Sequence, residues 1–398
     1  MPKLQISKKE YETRRNRIIK EMGDEFDAVC LFNPTHIFYL TNFGFLQTER
    51  PIALILTKNN ETFSLIPSLE QDRIEEVGYV EETRVYPEYP GKKHPMKYLK
   101  DLVTELGLED KVIGVDSTAP PSVMGYSGPT LEEILPNSVI KDKMGDVIKE
   151  MMMVKSEEEI QLINESARWG GVAHEKLQQF TKPGANETHI SNEATMEASK
   201  EMIETLGTAY RAVRKSRAGA FAGFRGQVGK HSAFPHSVSL NATIQNGDVL
   251  VTGASANVGG YTSELERTLL VGESPKKHRK YFNLMKEVQE VAFEAIEPGV
   301  KCSKVDKVVK KFYKKEDLLD LWRHHTGHAL GLNGHEPPFF DVGDETRLKV
   351  GMVMSVEPGI YIPGFAGFRH SDTIVVVEGG IERITMYPRD LRNLTIPT

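Results

Sequence analysis

Residues 327–337 read Gly-His-Ala-Leu-Gly-Leu-Asn-Gly-His-Glu-Pro, and residues 354–361 read Met-Ser-Val-Glu-Pro-Gly-Ile-Tyr. Each stretch surrounds a histidine or a glutamate with glycine, proline and small residues. Three more segments of the C-terminal half share this character: Pro235-His236, the run 247–268 that ends in Glu-Leu-Glu-Arg-Thr, and residues 367–373. Because several separate segments in one order are more specific than a single motif, they predict one site assembled from distant parts of the chain.

In order and spacing, these segments resemble the creatinase/prolidase/methionine-aminopeptidase-like family. The resemblance extends into the N-terminal part through the junction at residues 153–160, Met-Val-Lys-Ser-Glu-Glu-Glu-Ile. It implies an α/β N-terminal domain over residues 1–155 and an α+β pita-bread catalytic domain over residues 156–398. The expected activity is hydrolysis of a carbon–nitrogen bond.

Local patterns predict where several elements lie. Ser156 and Glu159 form a capping box that opens a helix. The apolar spacing of residues 95–106 predicts another helix with one buried face. Apolar runs predict strands in the C-terminal half, at residues 249–254, 265–271, 352–356 and 373–377.

The bulk properties are those of a cytoplasmic enzyme. A length of 398 residues favours two domains, and the net charge of −6 gives no reason to expect nucleic acid or an anionic membrane as partner. No apolar run is long enough to span a bilayer, and the first residues lack the apolar core of a secretion signal. Cys30 and Cys302 lie in different halves and are expected as reduced thiols. A small-molecule substrate is the expected partner.

Metallopeptidases of the family hold two metal ions with two aspartates, one histidine and two glutamates. By position, these ligands fall on Gly253, Glu264, His328, Glu357 and Ser371. Glycine offers no side-chain ligand and serine only a neutral hydroxyl, whereas two neighbouring dications need bridging carboxylates. We therefore expect no metal pair and no cofactor. A single ion on the remaining two glutamates and the histidine stays open.

Residues 260–268, Gly-Tyr-Thr-Ser-Glu-Leu-Glu-Arg-Thr, are similar to creatinase, the metal-free member, which has glutamate where peptidases usually have threonine. This resemblance implies that Glu266 and Glu357 hold a planar substrate cation through charge-assisted hydrogen bonds. It also implies that His236 takes a proton from water and returns it to the leaving nitrogen. His328 is expected beside them as a further catalytic residue.

Several of these side chains also have a purely structural interpretation. Glu266 could form an ion pair with Arg267, Arg369 or another base. His236 could make a structural hydrogen bond within a polar loop. His335 could either bind substrate, as in the peptidases, or cap a loop.

Arg50 matches the arginine that creatinase supplies from the partner subunit to bind the substrate carboxylate. The planar guanidinium suits bidentate recognition of a carboxylate, so this match implies a homodimer with shared active sites. The second carboxylate-binding arginine of creatinase falls on Phe339, and residues 335–338 are instead peptidase-like. The substrate-binding set is therefore predicted as Arg50, His335 and Phe339.

The leading functional prediction is metal-independent, creatinase-like hydrolysis of a carbon–nitrogen bond in a small cationic or amidine-like carboxylate. One alternative is a Xaa-Pro dipeptidase or aminopeptidase with a degenerate or single-metal site. The other is a catalytically silent pita-bread domain that binds peptides.

Overall fold

The computed structural model of the protein describes residues 4–212 and 218–398. Within these residues the chain forms two compact units. The N-terminal unit holds Ile6–Met152, and the C-terminal unit holds residues 4–5, Met153–Ala212 and 218–398. No helix in the described part of the chain is long and apolar enough to cross a membrane.

A six-stranded mixed sheet organises the N-terminal unit. Its strands are β1 (Ala28–Leu31), β2 (Ala53–Thr57), β3 (Thr62–Pro67), β4 (Glu82–Tyr86), β5 (Val112–Val115) and β6 (Val139–Asp142). They lie in the order β4-β3-β2-β1-β5-β6. Strand β2 runs antiparallel to both its neighbours, and the remaining pairs are parallel.

The helices of this unit are α1 (Lys8–Met22), α2 (Pro34–Thr41), α3 (Gln71–Val77), α4 (Pro95–Glu105), α5 (Leu131–Ile134) and α6 (Met144–Met153). Helix α4 confirms the prediction over residues 95–106 and buries Met96, Leu99, Leu102 and Val103 in the hydrophobic core on the sheet. It ends one residue early because Gly107 follows with a left-handed φ of 67°. Cys30 lies in the same core as a free thiol.

Four helices belong to the C-terminal unit: α7 (Glu157–Phe180), α8 (Glu187–Leu206), α9 (Lys276–Glu294) and α10 (Cys302–Lys315). Ser156 and Glu159 form the predicted capping box at the start of α7, with backbone-to-side-chain distances of 2.9 and 3.3 Å. Cys302 is also a buried free thiol. The described chain also contains short 3₁₀ helices at Ser68–Glu70, Ser122–Met124, Gly207–Ala209, Gly229–Ala233 and Leu319–Leu321.

The strands of the C-terminal unit form four small sheets. They are β7 (Ala220–Gly223), β8 (Val249–Val251), β9 (Gly253–Ala256), β10 (Thr268–Val271), β11 (His328–Ala329), β12 (Glu336–Phe339), β13 (Val353–Val356), β14 (Gly359–Ile362), β15 (Ala366–Arg369), β16 (Asp372–Val377), β17 (Gly380–Arg383) and β18 (Thr395–Ile396). The sheets are β12-β11-β13-β16-β17, β18-β10-β8, β14-β15 and β7-β9. Helices α7 and α8 pack against the β7-β9 pair.

The single strand predicted over residues 249–254 is wrong, because the chain changes sheets at Thr252. Strand β8 pairs with β10, whereas β9 pairs with β7. Thr252 Oγ1 donates to the Arg267 carbonyl oxygen at 3.0 Å and lies 2.7 Å from His174 Nε2. The apolar pattern of residues 249–254 cannot indicate that the pairing strand changes from β10 to β7. This change places Gly253 in a different sheet from Val251.

Candidate active site

His328 lies on the short strand β11, between β12 and β13. Gly327 precedes it, and a Cβ atom there would lie 2.1 Å from the Ser355 carbonyl oxygen, too close for any side chain. The His328 ring Nδ1 lies 3.0 Å from the Ala329 carbonyl oxygen, so Nδ1 is protonated and donates to it. The buried Nε2 atom is not aligned for a hydrogen bond with any group in residues 4–212 and 218–398, and its neighbours are carboxylates.

Two glutamates flank this nitrogen. The Nε2 atom of His328 lies 3.1 Å from Glu357 Oε1 and 3.8 Å from Glu264 Oε2. Burial alone would lower the pKa of His328, but contact with Glu357 and the charge of Glu264 outweigh burial and raise this pKa to about 9. Burial and the neighbouring Glu264 raise the pKa of Glu357 to about 7. The cluster therefore favours bound positive charge.

Ser371, the predicted position of the family's last glutamate ligand, lies against Glu264. Its hydroxyl donates to Glu264 Oε1 at 2.6 Å. The Glu264 amide donates to Thr373 Oγ1 at 2.8 Å, which fixes the backbone beside this contact. Ser371 thus orients a carboxylate and contributes no charge of its own.

Glu266 is buried between two arginines. Arg369 binds it through Nε and through Nη2, with the Nη2–Oε1 distance at 3.0 Å, and Arg225 Nη2 binds the same carboxylate. Burial would raise the pKa of Glu266, but the charges of Arg369 and Arg225 lower it to about 2. These ion pairs match the structural alternative for Glu266 with Arg369, whereas Arg267 binds Asp372. The arrangement does not fit a Glu266 that is free to hold a substrate cation.

Arg225 reaches Glu266 from the loop between β7 and β8. Its backbone has a φ of 55°, an uncommon value for a residue with a side chain. Gly226 follows, and a Cβ atom there would lie 1.8 Å from the Val238 carbonyl oxygen. Arg225 Nη2 also donates to Gln227 Oε1 at 3.1 Å. The loop therefore directs a cation towards the predicted metal positions.

A cavity of about 490 Å³ opens onto these groups. Its lining comprises Arg225, Pro235, His236, Glu264, Glu266, Arg323, His324, His325, His335, Glu357 and Arg369. His328 lies behind His335, whose ring stacks on it with 3.7 Å between centroids. Phe339 is outside this lining, with its ring 5.6 Å from the ring of His325. The predicted site residues of the C-terminal unit therefore lie in or directly behind the cavity lining, with one exception. Phe339 is separated from the cavity by the ring of His325.

Arg50 belongs to the N-terminal unit, where two glutamates occupy its guanidinium. Its Nε and Nη2 atoms donate to the two oxygens of Glu88 at 2.7 and 3.1 Å, and Nη1 donates to Glu49 at 2.5 Å. A substrate carboxylate would have to displace these partners. The homodimer with a shared active site stays a prediction.

Some cavity residues carry no motif signal in the sequence. Arg225 and Arg323 lie outside the motif segments, and their distance along the sequence from Glu264, Glu266 and Glu357 does not indicate that they share a cavity with them. Tyr361 belongs to a quoted segment, yet its role appears only in three dimensions: its hydroxyl lies 2.8 Å from Arg369 Nη1 and 2.8 Å from His324 Nε2. The sequence signal that could have indicated Arg225 is the glycine at position 253. A residue without a side chain there leaves space for the guanidinium of another segment.

The sequence profile of metallopeptidase family M24 matches residues 161–378, which is more than half of the chain. The chain belongs to metallopeptidase family M24. The profile of the creatinase/prolidase N-terminal domain matches residues 14–154. Both matches agree with the family to which the sequence segments pointed.

Full-length relatives of this M24 chain carry peptidase names. A Xaa-Pro dipeptidase from Pyrococcus furiosus is 28% identical over 382 residues, covering 95% of this chain and 99% of the relative. A dipeptidase structure from Pyrococcus horikoshii superposes with a TM-score of 0.79 at 25% identity, covering 96% and 99% of the two chains. The dipeptidase PepE of Mycobacterium ulcerans, at 23% identity, has the same fold with a TM-score of 0.81, covering 99% and 100%. The predicted fold class, an α/β N-terminal domain with an α+β pita-bread domain, is confirmed.

These relatives overturn the leading functional prediction. The prediction of a metal-independent, creatinase-like amidinohydrolase rested on Glu266 at a position where peptidases have threonine. Two relatives named Xaa-Pro dipeptidase align with this chain over 99% and 97% of their own length, and Glu266 is neutralised by arginines. The closer likeness to creatinase is not supported.

The residues of this M24 site do not fit a pair of metal ions. Gly253 has no side chain that could coordinate a metal ion, and the Ser371 hydroxyl donates to Glu264. A Cβ atom built on Gly253 would lie 2.9 Å from Arg225 Cζ, so the space in front of this residue is filled by a guanidinium. Two adjacent dications would lack both a terminal and a bridging carboxylate here.

Proposed function

We propose that this chain hydrolyses the peptide bond before proline in Xaa-Pro dipeptides. Its full-length relatives include a Xaa-Pro dipeptidase with which it aligns over 95% of its length. The observation that carries the proposal is the cluster of Glu264, His328 and Glu357 beside an open cavity. A buried carboxylate with a raised pKa next to an imidazole, as found for Glu357, is typical of functional sites.

We expect the same three residues to hold one divalent ion, because Glu264 has ligand spacing both with His328 and His335 and with Glu266 and Glu357. His328 directs its buried Nε2 towards Glu357 and Glu264, while the Ala329 carbonyl oxygen accepts from Nδ1. A metal-ligating histidine usually has this arrangement. Glu264 and Glu357 supply the anionic ligands within 3.8 Å of Nε2. A divalent ion bound there would supply Lewis-acid chemistry.

The other cavity histidines provide proton transfer and substrate contact. His236 is exposed and lines the cavity, so it stays our predicted acid–base residue. In this role it accepts a proton from the attacking water and delivers one to the proline nitrogen as the carbon–nitrogen bond breaks. His335 covers His328 and would contact the bound dipeptide.

The test is a peptide panel combined with metal analysis. We expect hydrolysis of Ala-Pro and similar dipeptides, no hydrolysis of Ala-Ala, and loss of activity with a chelator. Elemental analysis after saturation with Mn²⁺ should give about one ion per chain, because Glu264, His328 and Glu357 form a single ligand set. Tight dipeptide binding without hydrolysis would favour the silent peptide-binding alternative, and two ions per chain would contradict the single set.

Arg323 is the cavity arginine that has no carboxylate partner among the described residues. Its hydrogen bond there is Nη1 to the Trp322 carbonyl oxygen at 3.3 Å, and its side chain is exposed. We expect it to bind the carboxylate of the dipeptide, so Arg323→Ala should raise KM for Ala-Pro about tenfold. A charged hydrogen bond contributes roughly 1.5–3 kcal/mol, and loss of uniform binding appears in KM.

Ala-Pro amide is the matched substrate for this prediction, because it lacks the carboxylate and its KM should not change. Arg50→Ala is the matched variant, since Arg50 is the other predicted carboxylate ligand. An increase in KM with Arg50→Ala and not with Arg323→Ala would transfer the role to Arg50.

A further inference from the structure

The guanidinium of Arg225 occupies the space into which the family's first aspartate ligand would project. A Cβ atom on Gly253 would lie 2.9 Å from Arg225 Cζ and 3.1 Å from both Nη1 and Nη2. A carboxylate at position 253 would extend further than a Cβ atom. The aspartate and the present position of Arg225 therefore exclude each other.

The surroundings fix this position. Gln227 is buried and donates through Nε2 to the carbonyl oxygens of Phe234 and Pro235, at 3.0 and 3.3 Å, so its Oε1 atom faces Arg225 and Arg369 and accepts from both. The Gly226 amide donates to Glu187 Oε2 at 2.9 Å. An uncommon backbone conformation persists only where neighbouring contacts hold it, and these contacts do so for Arg225.

Arg225 keeps donors for a further partner. Its hydrogen bonds to Gln227 and Glu266 both come from Nη2. Neither Nε nor Nη1 forms a hydrogen bond within residues 4–212 and 218–398, and the side chain is 47% exposed where it lines the cavity. By contrast, Arg369 is buried, and its guanidinium donates to Glu266, Tyr361, Pro235 and Gln227.

We propose that Arg225 replaces one metal ion of the family's pair and binds the oxygen of the scissile carbonyl group. This inference rests on the proposed peptidase function. As water adds to the carbonyl carbon, negative charge develops on that oxygen, and the free Arg225 N–H groups donate to it. The carbon–nitrogen bond then breaks, and the proton lost by water passes to the proline nitrogen. A fixed cation needs no reorganisation when the charge appears.

The kinetic test compares Arg225→Ala with Lys230→Ala, which removes an exposed cation of the same loop outside the cavity lining. Arg225→Ala should lower kcat about 10²–10³-fold with little change in KM, as for removal of a donor to a developing oxyanion. Guanidinium ions at a non-denaturing concentration should partly restore kcat in Arg225→Ala. A structural role would not respond to this rescue.

The metal test uses Mn²⁺ alone and needs no activity. Gly253→Asp by itself should not add a second ion, because Arg225 fills the space in front of residue 253. Gly253→Asp combined with Arg225→Ala should add one, since the new carboxylate then has room and Glu266, which loses Arg225, lies close enough to Glu264 and Glu357 to supply the carboxylate that Ser371 cannot. Equilibrium dialysis followed by elemental analysis gives the ion count, and circular dichroism confirms that both variants fold.

The outcomes separate this inference from the proposed function. If the wild-type chain hydrolyses no Xaa-Pro dipeptide, the proposed function fails, while the metal test still judges the position of Arg225. If the wild type is active but Arg225→Ala keeps its kcat, Arg225 does not bind the reacting oxygen. A second ion bound by Gly253→Asp with Arg225 intact would refute the replacement.

Discussion

His328→Ala should lower kcat/KM for Ala-Pro by about 10⁴-fold, which corresponds to roughly 5 kcal/mol of transition-state stabilisation. The variant removes the buried nitrogen that lies between Glu264 and Glu357. Without it, the two carboxylates face each other with no imidazole and lose the nitrogen of their ligand set. Steady-state kinetics together with the Mn²⁺ content of the purified variant measures both effects.

His325→Ala is the matched control for this variant. His325 lines the same cavity, and its ring lies 6.2 Å from that of His328, but neither glutamate forms an ion pair with it in the described part of the chain. We expect less than about a tenfold change, since side chains without a transition-state contact contribute little. An equal loss of kcat/KM in the two variants would mean that replacing any cavity histidine disturbs the site and that His328 has no special role.

Asp372→Ala should destabilise the C-terminal unit by about 3–5 kcal/mol, the cost of leaving a buried charge without its partner. Asp372 accepts from Arg267 Nη2 at 2.8 Å, from Thr385 Oγ1 at 2.8 Å and from Gln289 Nε2 at 3.1 Å. Urea unfolding followed by tryptophan fluorescence reports on this unit, because Trp169 and Trp322 both belong to it.

Glu290→Ala provides the control for Asp372→Ala. It removes a largely exposed partner of Arg389, and exposed ion pairs contribute at most about 1 kcal/mol. If Asp372→Ala also changes the free energy of unfolding by no more than this, the buried pair does not hold the unit together.

The order of the glycine-rich segments was enough to predict the family, the fold class and the meeting of Glu264, His328 and Glu357. These features follow from motifs whose spacing is set by the backbone, such as Gly327 against the Ser355 carbonyl. The helix start at Ser156 is equally local, since its cap is complete within four residues.

The function was predicted wrongly because the charge on Glu266 was assigned to a substrate. Its partners, Arg225 and Arg369, lie 41 and 103 residues away in sequence, and no periodicity links such distant positions. The break at Thr252 has the same origin, because strand pairing depends on partners from other segments. Local patterns indicate elements, whereas neutralisation of a buried charge depends on the assembled unit.

Along residues 264–267, side chains that line the cavity alternate with side chains that hold the segment in the core. Glu264 and Glu266 line the cavity, whereas Leu265 and Arg267 are fully buried. Arg267 donates to the carbonyl oxygens of Glu266 at 2.7 Å and Ser371 at 3.0 Å, so it binds the backbone without using their side chains. The partly exposed Glu264 can therefore be exchanged while the buried residues keep the segment folded, but Glu266 cannot be exchanged alone, because Arg369 would stay buried without its partner. The charge of this cavity can therefore change without unfolding the segment only through Glu264, or where Glu266 and Arg369 change together.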